Sequence, residues 1–380
     1  MSGRLRFDRN ELAGSFGDIG TDLPLLVGVI QASGLDAAGV FAVFGLCQIA
    51  TGFLYGLPMP VQPLKAMAAL VIAGKLAPSV IRGAGMSIGL VMLALASTGL
   101  LGWLARSIPK PVVRGIQFGL GMSLASLALK DYVRSDGALG YALAGAGFVL
   151  ALALKGNRRY PAALFVIGLG ALYSLLFKLD LRAMAAGTGW TPPGLSAPKA
   201  ADLWIGFVAL ALPQLPLSLS NSVIATERTV RDLFPDRAVS VRKIGLTYSF
   251  MNLLSACLGG FPVCHGAGGM AGHYGFGART GGSVVLYGGM YLVLGLFLGG
   301  AVSHAVRIFP LPILGVVLFF EGLALMLFLQ DLSGSAEDLA LAMLVGLLCM
   351  LPQGYVVGLL VGAALYALES AARSHRADRP

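Results

Sequence analysis

Two stretches decide the fold: GLPMPVQPLKAMAALVIAG at 56–74 and GGFPVCHGAGGMAGHYGFG at 259–277. Each opens on glycine, an apolar residue and proline, and leaves too few residues for a membrane-crossing helix, which needs about 20. Pro58, Pro60 and Pro63 force extended backbone before the first helical piece, and Gly266, Gly268 and Gly269 loosen the start of the second. The stretches that precede them also pair: GSFGDIGTDLP at 14–24 and PLSLSNSVIATE at 216–227 are polar interruptions of otherwise apolar runs, and an offset near 202 residues relates all four. Interrupted helices at matching places in two halves of a chain point to a transporter's binding site.

The surrounding composition requires a membrane. Of 380 residues, 57% are hydrophobic and only 12% charged, with 53 glycines and a mean hydropathy of +0.81. A soluble domain carries about 25% charged residues, so too few polar side chains remain to face water. Runs such as SIGLVMLALASTGLLGWLA are apolar all round, which excludes the alternating strands of an outer-membrane barrel. The chain reads as an all-α polytopic membrane protein with segments near 11–32, 37–57, 62–76, 83–105, 111–130, 138–155, 160–178, 203–226, 240–259, 264–276, 283–304, 308–330, 336–352 and 354–372. Fourteen segments make two repeats, 1–200 and 201–380. Seven spans per repeat is odd, so the repeats are inverted, and segments 3 and 10 are half-helices preceded by short extended stretches.

Charge orients this layout. With both termini cytoplasmic, eighteen of the 27 Lys and Arg residues fall inside, eight fall outside and Lys65 lies within the membrane. A multi-pass protein of the plasma (inner) membrane follows. The net charge of +9 then belongs to a basic face beside anionic lipid and needs no nucleic acid. The N-terminus lacks an uninterrupted apolar core and a small-residue cleavage site, so no removable signal peptide is expected. Cys47, Cys257, Cys264 and Cys349 sit singly in apolar stretches, which excludes a disulfide framework and a CxxC metal site.

Non-helical backbone survives at mid-membrane only where protein or a water-filled cavity surrounds it. If both half-helices begin near the bilayer centre with their N-termini facing, their free N–H groups and dipoles build an anion site from backbone alone. The expected donors lie around Gln62, Pro63 and Leu64 and around Cys264, His265, Gly266, Ala267 and Gly268. Lys65 either locks helices against Asp18 or Glu321 or supplies the field for a bound dianion. Asn221 and Ser222 make the second polar interruption a wall of the site, and Thr21 joins them from the first. Asp18 and Asp22 share one helical face if the helix continues through Gly20. Asp18 is the deeper of the two, and Glu321 is isolated in GVVLFFEGLALMLF, so both are candidates for a proton relay. No second ligand set or oriented triad accompanies Cys264 and His265, so no enzyme, metal or cofactor is expected. No GxxxxGK[ST] occurs, which excludes primary pumping by this chain alone.

ELAGSFGDIGTDLPLLVG, GLPMPVQPLKAMAA, LPLSLSNSVIA and GGFPVCHGAGGMAGHYGFGARTGG, running from 11 to 282, together resemble the MOT-type molybdate transporters, a branch of the wider sulfate-permease superfamily. The resemblance implies the seven-plus-seven inverted repeat, with a core domain of 11–105 plus 203–304 and a gate domain of 106–180 plus 305–372. It also implies a secondary transporter that imports molybdate by alternating access. No sodium site is legible, whereas Asp18 and Glu321 are buried carboxylates, so a proton rather than sodium is the expected coupling ion, and a homodimer is an open arrangement. Sulfate permeases usually append a STAS domain, whereas the MOT-type branch does not, and this chain stops about ten residues after the last segment. Sulfate transport and an anion channel on the same fold are the alternatives. No motif separates molybdate from sulfate, both being tetrahedral dianions.

Overall fold

The computed structural model describes residues 5–154, 162–178, 180–351 and 354–377. Its first half runs α1 (Arg9–Ser15), α2 (Ile19–Ser33), α3 (Ala37–Tyr55), β1 (Gln62–Pro63), α4 (Lys65–Gly74), α5 (Pro78–Thr98), α6 (Leu101–Ser107), α7 (Lys110–Leu127), α8 (Gly137–Ala153), α9 (Ala162–Phe177) and α10 (Leu181–Ala186). Its second half runs α11 (Ala200–Gly206), α12 (Leu212–Leu217), α13 (Ala225–Leu233), α14 (Val241–Leu258), β2 (Val263–Cys264), α15 (Ala267–Gly275), α16 (Gly282–Phe297), α17 (Gly299–Ile308), α18 (Leu311–Leu327), α19 (Ala336–Leu348) and α20 (Gly354–Ala377). Two π-helical turns, Phe207–Ala211 and Ser218–Ile224, join α11, α12 and α13 into one rod.

Local chemistry sets these boundaries. Asp8, Asp36, Ser240 and Ser335 accept first-turn amides at the starts of α1, α3, α14 and α19. Prolines open α5, α7 and α18, where the missing N–H costs nothing. Gly56 and Gly259 close α3 and α14 at φ 61° and 73°, a left-handed conformation open to glycine. Each is followed by extended backbone, a two-residue strand and then a short helix of ten residues (α4) or nine (α15).

The protein is a multi-pass membrane protein. Among the described residues six stretches are long and apolar enough to cross a bilayer: Arg9–Ser33, Ala37–Tyr55, Pro78–Thr98, Lys110–Tyr132, Ala200–Leu233 and Leu311–Leu332. Phe53, Val149, Phe177, Trp204 and Phe250 are exposed on the outside, an apolar surface that lipid covers.

Several expected segments differ in detail. The run 11–32 is not one helix: it breaks at Phe16-Gly17-Asp18, and Asp18 is the residue before α2. The run 83–105 divides at Gly99, φ 78°, into α5 and α6, and 283–304 divides at Leu298 into α16 and α17. Of the basic residues assigned to the cytoplasmic face, Arg4, Lys155, Arg158, Arg159 and Arg379 lie outside the described residues.

The halves interlock. α3 packs along α16, and α14 packs along α5. Gly45 and Gly288 make the first contact: a Cβ on either would come within 2.6 Å of the other's carbonyl oxygen. Glu11 ties α1 to the same region. Buried at 1% exposure, it accepts the amides of Arg279 and Thr280 on Oε1, at 2.9 and 2.8 Å, and that of Ser283 on Oε2, at 3.0 Å. A carboxylate at the start of α16 also meets the positive end of its dipole. Glu11→Ala is therefore expected to cost about 3 kcal/mol, and Glu11→Gln, which keeps one acceptor, about half of that. Thermal unfolding in detergent reads the difference, and an unchanged midpoint for Glu11→Ala would show that the three bonds contribute nothing net.

Candidate functional site

The two extended stretches meet each other. β1 and β2 pair antiparallel, Gln62 opposite Cys264 and Pro63 opposite Val263, and the Leu64 amide donates to the Pro262 carbonyl at 3.0 Å. Because each strand leads directly into its helix, α4 and α15 run away from the ladder in opposite directions, with both N-terminal ends at it.

An amide side chain clamps each strand from its own half. Gln48 on α3 donates Nε2 to the Val61 carbonyl at 2.8 Å and accepts the Val61 amide at 3.1 Å. Asn252 on α14 does the same to Val263, at 2.7 and 3.0 Å. These bonds satisfy backbone that has no helical partner.

Neither short helix has a side-chain cap at the residue before it, Leu64 or Gly266. The first-turn amides have no intrahelical acceptor by construction. One is taken from the opposite half: Met67 donates to Gln214 Oε1 at 3.1 Å, and Gln214 in turn donates to Ser218 at 3.1 Å. Across the ladder, Gln62 Nε2 donates to both Asp18 carboxylate oxygens, at 2.8 and 2.7 Å. Asp18 and Gln62 pack against the start of α15 so closely that a Cβ on Gly269 would lie 2.2 Å from Asp18 Oδ2, and one on Gly266 1.7 Å from Gln62 Oε1.

These helix ends open onto a cavity of about 430 Å³. Gln62 and Lys65 line one side, and Cys264, His265, Gly266, Ala267 and Gly268 line the side opposite. The interrupted rod contributes Gln214, Asn221 and Ser222, the last two on its π-helical turn. α7 contributes Arg114, and α18 with the turn after it contributes Glu321 and Phe328. The volume accommodates an oxyanion with several waters at about 30 Å³ each. Lys65 Nζ is 3.7 Å from Glu321, and the lysine side chain keeps 38% exposure, so it is paired yet reachable from the cavity. Backbone N–H groups, amide and hydroxyl side chains and one ammonium form an anion-binding donor set. Among the described residues no three His, Cys, Asp or Glu side chains gather as a metal site.

The model of the family described as "Molybdate transporter of MFS superfamily" matches residues 10–124 and 206–325, which contain both helix starts and most of the cavity wall. Molybdate transporter 2 of Arabidopsis thaliana is 34% identical over 94% of this chain and 87% of its own length.

This chain belongs to the molybdate transporter family.

Molybdate transporter 1 of Arabidopsis thaliana is 31% identical over 94% of the chain and 87% of its own, and that of Chlamydomonas reinhardtii 28% over 98% and 94%. These relatives are named as transporters, not enzymes. Two solved structures share the fold. The transmembrane domain of a cyanobacterium bicarbonate transporter, BicA, superposes with a TM-score of 0.68 at 18% identity, over 95% of this chain and 97% of that one. Murine Slc26a9, an anion transporter in the inward-facing state, gives 0.71 at 14% identity, over 97% and 69%.

In this molybdate transporter family member, the cavity gathers most residues expected from sequence, and four of the expected residues are held in other ways. Pro63 is held in the ladder, and Thr21 sits in the first turn of α2 with its amide on the Asp18 carbonyl; neither lines the cavity. Asp18 lies behind Gln62 rather than on the wall. The His265 ring is used internally: Nδ1 donates to the Pro60 carbonyl at 3.2 Å and Nε2 accepts from Thr247 at 2.7 Å, so it braces the strand and has no free donor for an anion. Arg114, Gln214 and Phe328 were not expected from sequence. Gln214 had a legible signal, an amide between Pro213 and Pro216 in an apolar run. Arg114 had none, because its position fits a basic loop equally well.

Proposed function

We propose that this protein imports molybdate across the plasma (inner) membrane by alternating access, binding the dianion between the N-terminal ends of α4 and α15. The observation that carries the reading is the β1–β2 ladder, which sets two short-helix starts against one cavity beside Lys65. In support, the repeated glycine, clamp and strand in each half fit a seven-plus-seven inverted repeat of fourteen segments with cytoplasmic termini. The core domain is then 11–105 plus 203–304 and the gate domain 106–180 plus 305–372. Gln62, Lys65, Asn221, Ser222, Cys264, Gly266, Ala267 and Gly268 surround the anion, and Lys65 shifts between Glu321 and the substrate as the cycle turns. The relatives' names favour molybdate over sulfate. A dianion entering a cell with a negative interior works against about 2.3 kcal/mol per charge per 100 mV. Uptake therefore couples to a cation, and we assign protons, with Asp18 and Glu321 as the relay carboxyls, rather than sodium.

The test is uptake of radiolabelled molybdate into proteoliposomes with competing sulfate and with imposed proton or sodium gradients. Saturable uptake that rises with an inward proton gradient and resists excess sulfate is the expected result. Flux that never saturates would make the protein a channel, and preferential loss of signal to sulfate would reassign the substrate.

A further inference from the structure

We infer that Asp18 and Asp22 share a single proton, and that this carboxyl pair, with Tyr287 and Tyr291 as its reversible hydrogen-bonded partners, holds the coupling proton. The inference rests on the proton-coupled reading above and adds a residue, Asp22, that lines no part of the anion cavity. The Asp22 amide donates to the Asp18 carbonyl at 3.1 Å, so the two side chains rise from one face one turn apart. Two ionised carboxylates one helical turn apart in a buried site offer only acceptors and repel, so the pair is favoured with one proton between its two members.

The surroundings make that proton necessary. Asp22 is fully buried, and its Oδ1 finds no N–H or O–H donor among the described residues. Its Oδ2 is 3.3 Å from the Tyr287 hydroxyl, which is 3.2 Å from that of Tyr291. Asp18 accepts the Gln62 amide on both carboxylate oxygens. The elements packed on α2 bring few other charges. α4 brings Lys65, which lies 3.7 Å from Glu321 of α18. α15 brings His273 to the edge of the Tyr287 ring, its Nδ1 3.2 Å from Ser283 Oγ. α17 carries His304 and Arg307 near the far end of α2, where Gln31 donates to the Val306 carbonyl. α9 meets Gly20 through Ala163, with Tyr173 further along beside Lys178; β1 adds no titratable group.

The tyrosines let the pair change state without moving backbone. With the proton held, Asp22 Oδ2–H donates to the Tyr287 oxygen and Tyr287 to the Tyr291 oxygen. With the proton released, both hydroxyls reverse, Tyr291 donating to Tyr287 and Tyr287 to the carboxylate. One proton enters or leaves, the two hydroxyl hydrogen bonds reverse direction, and no other covalent bond is made or broken. Asp18 connects this chain to the anion site through Gln62, which packs on Gly266. Holding the proton removes one negative charge beside the start of α15 and favours the dianion; by reciprocity the dianion favours the proton.

The experiment compares two modes in proteoliposomes: uptake of radiolabelled molybdate driven by an inward proton gradient, and molybdate–molybdate exchange at equal pH, which needs no net proton movement. Asp22→Asn is expected to lower gradient-driven uptake at least tenfold and flatten its rise between pH 8 and pH 5, while exchange falls less than threefold. Tyr287→Phe is expected to keep both modes and shift the pH at which uptake is half-maximal. Gradient-driven uptake by Asp22→Asn at the wild-type level, loss of exchange and uptake together from a folded protein, or an unshifted Tyr287→Phe profile would each overturn the assignment. A wild type that ignores protons and follows sodium would instead overturn the proton-coupled reading itself.

Discussion

A Lys65→Ala protein, purified at close to the wild-type yield, is expected to bind molybdate at least tenfold more weakly. The ammonium is the cationic side chain beside the two helix starts, 3.7 Å from Glu321 and reachable from the cavity. A hydrogen bond to a charged group contributes about 1.5–3 kcal/mol, and each 1.4 kcal/mol is about tenfold in affinity. Removing the lysine also leaves the Glu321 carboxylate facing the incoming dianion without its partner. The fold loses less, because a pair with this exposure contributes only about 0–1 kcal/mol to stability. The double variant Lys65→Ala/Glu321→Gln removes that carboxylate and should recover part of the affinity. Binding isotherms in detergent check both, and wild-type affinity in Lys65→Ala would make the lysine a packing element.

Gly266→Ala is the second change with a large expected effect. The added Cβ would fall 1.7 Å from Gln62 Oε1, and Gln62 cannot simply swing aside because its Nε2 is held by both Asp18 oxygens. Either that bond breaks or the ladder shifts, and both disturb the amides at the start of α15. Overpacking costs about 1–3 kcal/mol, which corresponds to roughly a tenfold to hundredfold loss of binding. Gly275→Ala, at the far end of the same helix with nothing within 4 Å of its Cβ, should match the wild type. Equal molybdate binding by Gly266→Ala and Gly275→Ala would show that the close approach of Gln62 to α15 has no bearing on the anion.

How much of this was legible in the sequence follows from distance along the chain. The breaks before α4 and α15 were, because prolines at 58, 60 and 63 interrupt a helix, the glycines at 266, 268 and 269 weaken the start of one, and lipid tolerates no open backbone. Lys65, Asn221 and Glu321 were legible as polar groups in apolar runs. What escaped depends on partners distant in sequence. His265 looked available for an anion because its acceptor, the Pro60 carbonyl, is 205 residues away. Gln214 reaches Met67 across 147 residues, and Asp18 reaches Gln62 across 44. Arg114 faces the cavity while its guanidinium is shared with Gln117 and Asp331, a placement that charge counting along the chain assigns to a loop. The splits at Gly99 and Leu298 escaped for a different reason: apolar sequence continues through both, and only backbone conformation marks the turn.

The claim that two helix starts hold the substrate is tested most directly by locating molybdenum itself. A structure of the protein with bound molybdate, the metal position fixed by its anomalous scattering, should place the anion in the cavity with oxygens about 3 Å from the backbone nitrogens of Lys65 or Ala66 and of Ala267 or Gly268. Lys65 Nζ should lie within the same contact shell. Molybdenum found only at another position, such as the Arg114 side of the cavity, in protein that transports normally, would contradict the account.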